Sequence, residues 1–93
     1  MFVIGVYDIS TLDADGRKRL VKVMKTMRKY LHHSQKSVFE GDITEGKFYA
    51  LRGEIEKIID KNEDYVVFFK IPGFTSIERL NLGRDFDPNS NIL

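Results

Sequence analysis

Residues 1–10 read MFVIGVYDIS. Six of the first seven are apolar or aromatic, the seventh is Gly5, and the run then delivers an acid, Asp8. An unbroken apolar run of this length predicts a strand over 2–8 that is covered on both faces. The rest of the chain must therefore supply a layer for each side of that strand.

One layer follows directly. Ser10, Thr11, Asp13 and Asp15 offer side-chain oxygens to the free N–H groups of a helix start, which predicts a helix from about Asp15. Leu20, Met24, Met27 and Leu31, flanked by Val23 and Tyr30, recur at spacings of three and four and form its core-facing stripe. The segment HHSQKSVFEGDI, residues 32–43, is open to two readings: one bent strand, or two short strands joined by a tight hairpin, with a bulge at Gly41. Thr44 and Glu45 start a second helix whose stripe is Phe48, Leu51, Ile55, Ile58 and Ile59, running to about Asn62. Tyr65 to Ile71 is the most apolar run and too short for a buried helix, so it is expected as a central strand ended by Pro72-Gly73. Residues 74–82 alternate moderately and read as an edge strand; beyond Gly83 the chain is turn-rich, and Ile92-Leu93 either frays or pairs with a partner chain. The expected organisation is one domain over 1–82 and a tail over 83–93.

Strands at both ends of two helices predict an α+β sandwich with both helices on one sheet face. If residues 32–43 hold two strands, the order βαββαβ is ferredoxin-like. The other sheet face is then bare although its strands are apolar, and a second copy of the chain is the simplest cover, giving a homodimer.

Ninety-three residues suit a single small core. The absence of cysteine excludes disulfides, thiolate zinc sites and cysteine nucleophiles, leaving oxygen or imidazole for any metal. No apolar run has the length of a membrane span, and the start lacks a secretory pattern, so no membrane association and a cytoplasmic location are expected. The net charge is only +1, yet Arg17, Lys18, Arg19, Lys22, Lys25, Arg28, Lys29 and Lys36 crowd residues 16–36 without a single acid.

An acid between strand and helix commonly just bonds the turn. Alternation, however, places Asp8 on the side of Phe2, Ile4 and Val6, at the rim of the face that a second copy would cover. Two Asp8 carboxylates facing each other repel unless a cation lies between them, and a hard ion such as Mg²⁺ is held by one or two carboxylates with waters and phosphate oxygens. Lysines on a helix are usually a solvated face, but this helix forgoes every i,i+4 acid–base pair. Lys22, Lys25 and Arg28 are accordingly candidates to grip a nucleic-acid backbone through its phosphates. His32 and His33 match no zinc-ligand spacing, EGDITEG lacks the phosphate-loop pattern, and no Ser/His/Asp constellation is evident.

Three stretches, VYDIS, QKSVFEGDI and DYVVFFKI, together resemble the small CRISPR-associated endoribonucleases that partner the spacer integrase, the "Cas two" family. The resemblance runs through nearly the whole chain. It implies a ferredoxin-like homodimer with an extra C-terminal strand exchanged onto the partner's sheet. It also implies a Mg²⁺-dependent nuclease on single-stranded RNA or duplex DNA, with Asp8 as catalytic metal ligand. Tyr7, Arg17, Arg19, Ser37 and Phe39 would support the site or the bound strand. The family also bridges integrase dimers on DNA without catalysis. The sequence departs from a common pattern at His33, where a basic residue is frequent, and at Lys36, where an aromatic is.

Three functions follow as expectations. In the first, paired Asp8 side chains hold Mg²⁺ and Arg17 or Arg19 balances transition-state charge in phosphodiester hydrolysis. In the second, the protein is a non-catalytic DNA-binding adapter of the integrase and Asp8 is structural. The third, a small-molecule regulator, leaves the acid-free helix unexplained.

Overall fold

A computed structural model describes residues 1–73 and 78–83. Its elements are β1 (Phe2–Asp8), α1 (Ala14–Tyr30), β2 (His32–Gln35), β3 (Val38–Asp42), α2 (Glu45–Ile58) and β4 (Tyr65–Ile71). The strands form one antiparallel sheet in the order β2-β3-β1-β4, which is the ferredoxin-like arrangement. Residues 32–43 thus hold two strands, joined at Lys36-Ser37. The register irregularity lies between His33 and Gln35 rather than at Gly41.

Local chemistry accounts for the helix ends. Asp13 caps α1, its carboxylate accepting from Gly16 N at 2.8 Å, and Thr44 caps α2, its hydroxyl accepting from Lys47 N at 3.2 Å. Helix α2 stops at Ile58, short of the expected Asn62. The Asp60 carboxylate takes the N–H of Asn62 at 2.9 Å and its carbonyl takes that of Asp64 at 2.8 Å, so a turn replaces the last helical bonds.

Both helices cover one face of the sheet. Val3, Phe39, Val23, Met27 and Leu51 are fully buried there, each burial contributing about 1.5–3 kcal/mol. Helix α1 lies so close to β1 that a Cβ on Gly5 would come within 3.2 Å of the Met27 methyl and 3.0 Å of Phe68. The opposite face carries Phe2, Ile4 and Val6 of β1, Val38 of β3 and Val67, Phe69 and Ile71 of β4, and Phe69 remains 54% exposed.

Two expectations about strand position change. Among the described strands Tyr65–Ile71 stands at the edge, not at the centre: it is apolar because Val66 and Phe68 meet the helices while Val67 and Phe69 line the open face. Of the strand expected over 74–82, residues 74–77 lie outside the described residues, and 78–82 form no regular element. Leu80 and Leu82 are exposed there, and no described strand pairs with them. Arg79 instead forms an ion pair with Glu40 of β3, on the open face. Of the tail expected over 83–93, residues 84–93 also lie outside the described residues. Among those described, no helix is long and apolar enough to cross a membrane.

Candidate nucleic-acid interface

Strand β1 ends in a division of labour between adjacent residues. Tyr7 points to the helices and is buried, whereas Asp8 points to the open face and is exposed. The Tyr7 hydroxyl donates to the Lys36 carbonyl at 2.8 Å, and its backbone N–H donates to the Ser37 carbonyl at 3.1 Å. Burial pushes the Tyr7 phenol up from its ordinary value, against the opposing influence of Arg28. Tyr7 and Ser37 therefore tie the β2–β3 turn to the strand that carries Asp8. Phe39 is wholly buried, with the His33 ring stacked on it at 4.4 Å and 8°. The Tyr7 and Phe39 rings are thus both buried in the chain, against the helices and His33. His33 also bonds the Lys36 carbonyl through Nε2 at 3.2 Å.

Asp8 lies opposite Tyr65 in the β1–β4 ladder. Among the described residues it has no ion-pair partner, and no three acids or histidines gather to hold a metal ion. Among the described residues one chain thus offers Mg²⁺ no cluster of three ligands; two chains related through the open face would add a second Asp8 carboxylate.

The cations of α1 divide into four groups. Lys18, Lys22, Lys25 and Arg28 are exposed and enter no ion pair among the described residues. Lys29 is paired with Glu54 of α2, which also accepts the Tyr30 hydroxyl. Those two bonds, that of Lys29 first, hold the Glu54 carboxyl below its usual range. Arg17 is exposed and donates to the Thr11 carbonyl at 3.3 Å, which brings it over the β1–α1 loop. Arg19 is different: its Nε and Nη2 donate to the two carboxylate oxygens of Asp64 at 2.7 and 3.3 Å.

Asp64 is the residue that sequence reading missed. Its side chain is 0% exposed and accepts four bonds, two from Arg19, one from Ser10 N at 3.0 Å and one from Asp60 N at 2.9 Å. Burial alone would raise its pKa, but the Arg19 guanidinium and the two backbone N–H groups outweigh it and hold the carboxyl below its ordinary value. A signal was present in Arg19, which stands four residues before Val23 and seven before Thr26, on the buried side of the helix.

Comparison with known proteins agrees with this arrangement. The family model described as CRISPR associated protein Cas2 matches residues 1–75. The chain is 48% identical to a protein of Moorella thermoacetica named CRISPR-associated endoribonuclease Cas2 2, over 98% of this chain and 100% of that one. It is 43% identical, over the full length of both, to the CRISPR-associated endoribonuclease Cas2 of Dictyoglomus turgidum. Among solved structures, Streptococcus pyogenes Cas2 superposes with a TM-score of 0.70 at 35% identity, covering 77% of this chain and 87% of that one. A second crystal structure, titled cas2, gives a TM-score of 0.75 at 31% identity over 100% and 98%. Sequence, strand order and length concur, and the chain belongs to the CRISPR-associated Cas2 family.

Proposed function

We propose that this protein is a divalent-metal-dependent endoribonuclease of a CRISPR system that works as a homodimer. The observation that carries the reading is the exposed Asp8 at the rim of an apolar sheet face that no described element covers, with cations on the first helix that enter no ion pair among the described residues. Two chains stacked through Phe2, Ile4, Val6, Val67 and Phe69 bring their Asp8 carboxylates together across the seam. Asp8 from each chain would hold Mg²⁺, and the ion would supply Lewis-acid polarisation of the scissile phosphate and a positioned water. Lys22, Lys25 and Arg28 bind backbone phosphates, and Arg17, at the loop after Asp8, offsets charge developing on the phosphoryl oxygens. Water adds to phosphorus, the P–O bond to the leaving strand breaks, and the leaving oxygen takes up a proton. The names of the relatives favour RNA as the substrate; duplex DNA is the alternative.

A second reading, a non-catalytic adapter that bridges spacer-integrase dimers on DNA, is supported by the sparseness of the acid site. Among the described residues no group of three or more acids or histidines gathers to hold a metal ion. One comparison separates the two. Asp8→Asn is expected to abolish Mg²⁺-dependent cleavage of single-stranded RNA and to leave duplex binding within about twofold. Cleavage that persists in the variant, assayed on RNA and DNA with and without Mg²⁺, removes Asp8 from the chemistry. Wild-type protein that binds but cuts neither substrate favours the adapter.

A further inference from the structure

Ser10, two residues past Asp8, is held from both sides. Its N–H is bonded to the fully buried Asp64 carboxylate at 3.0 Å. Its carbonyl oxygen rests against Gly16 in the first turn of α1, where an added Cβ would stand 1.9 Å from it. A contact that short admits no side chain, so only glycine lets the loop and the helix approach in this way. Asp64 directly precedes Tyr65, the ladder partner of Asp8, so its carboxylate extends the β1–β4 pairing beyond the last register pair. Arg19, reaching from the buried side of α1, spans both oxygens of that carboxylate and fixes its plane.

We propose that Asp64, Arg19 and Gly16 form a positioning cradle that locks the peptide of Ser10 and thereby sets the direction in which Asp8 presents its carboxylate. Arg19 then acts through Asp64, as a positioning residue, and not as a phosphate ligand. The role of the cradle in catalysis rests on the proposed function, because it matters only if Asp8 must meet a metal ion and its twin at a defined angle. Preorganisation is the gain: an exposed carboxylate at a strand end whose following loop is loose samples several rotamers, and each must be given up when the site assembles.

The test reads Asp8 directly in the intact metal-free dimer. Three-bond couplings give its χ1 populations by NMR, and amide hydrogen exchange reports on Ser10. Wild type is expected to show one dominant Asp8 rotamer and a protected Ser10 N–H. In Asp64→Asn and in Arg19→Lys, which keeps the charge but not the two-pronged contact, the couplings average and Ser10 exchange accelerates at least tenfold. The amides of Val3 to Val6 stay protected. Unchanged Ser10 exchange, or an Asp8 rotamer population that does not move, overturns the proposal. Arg19→Gln is expected to leave the salt dependence of nucleic-acid binding unaltered; a slope lowered by about one returns Arg19 to the phosphate interface and also overturns it. Failure of the metal reading shows separately, as an Asp8→Asn variant that binds Mn²⁺ as wild type does.

Discussion

Asp8 and Asp64 have the same side chain and opposite circumstances. Asp8 stands in water with no ion-pair partner among the described residues, so its charge is available to a ligand. Asp64 is sealed off and satisfied by four donors, so its charge is spent inside the fold. The second case has a thermodynamic consequence. The folded-state pKa of Asp64 lies below the ordinary 3.8, so its stabilisation is complete above that value and is lost as the pH falls through the lower, folded-state value. Thermal unfolding of wild type is therefore expected to show a drop in Tm on acidification below pH 3.8 that Asp64→Asn flattens. At neutral pH the same variant is expected to lose about 2–3 kcal/mol, because a guanidinium and two N–H groups lose their charged acceptor. Phe39 supplies a contrasting case. As a buried core ring it should cost about 3–5 kcal/mol on Phe39→Ala, measured by urea unfolding, whereas a base-stacking residue would lose affinity and keep its stability.

Helix α1 has three functions on three sides. Gly16, Val23, Thr26 and Met27 face the sheet, Lys29 and Tyr30 turn toward α2 through Glu54, and Lys22, Lys25 and Arg28 face solvent. The last group, with Arg17 and Lys18 at the start of the helix, remains for phosphate. Neutralising Lys22, Lys25 and Arg28 together to Gln is expected to reduce the slope of log affinity against log salt by about 2–3 per chain. Filter-binding titrations between low and moderate salt check this, and an unchanged slope removes the helix from the interface. The periodicity of α1 was readable in advance, as was its acid-free surface. The assignment of Lys29 and Arg19 to neighbours was not, since their acids lie 25 and 45 positions away in the chain.

The sandwich as a whole is finished on one side only. Tyr65 and Phe69 project from an apolar face on which the described chain places the Arg79–Glu40 ion pair but no second layer. If that face is the seam between two copies, Phe69→Asp places a charge in it without touching the helix-side core. The variant is expected to sediment as a monomer where wild type sediments as a dimer, to keep its far-UV circular dichroism, and to lose RNA cleavage. A variant that remains dimeric and active moves the seam elsewhere.

The type and order of β1, α1, α2 and β4 and the two-faced apolar character of β1 and β4 were legible from residues alone, because hydrophobic period and capping groups act within a few positions, whereas the weak alternation of 32–43 left one strand or two open. So was Asp8, as an acid at the rim of an apolar face. Two things needed the folded chain. The Tyr65–Ile71 strand could be placed at the sheet edge only by its pairing, since an apolar run looks the same whether a neighbouring strand or open space lies beside it. The cradle of Ser10 could be seen only in three dimensions, because Gly16, Arg19 and Asp64 meet through contacts that no local pattern encodes. Short-range chemistry chooses the elements; long-range packing decides which charges stay free to act.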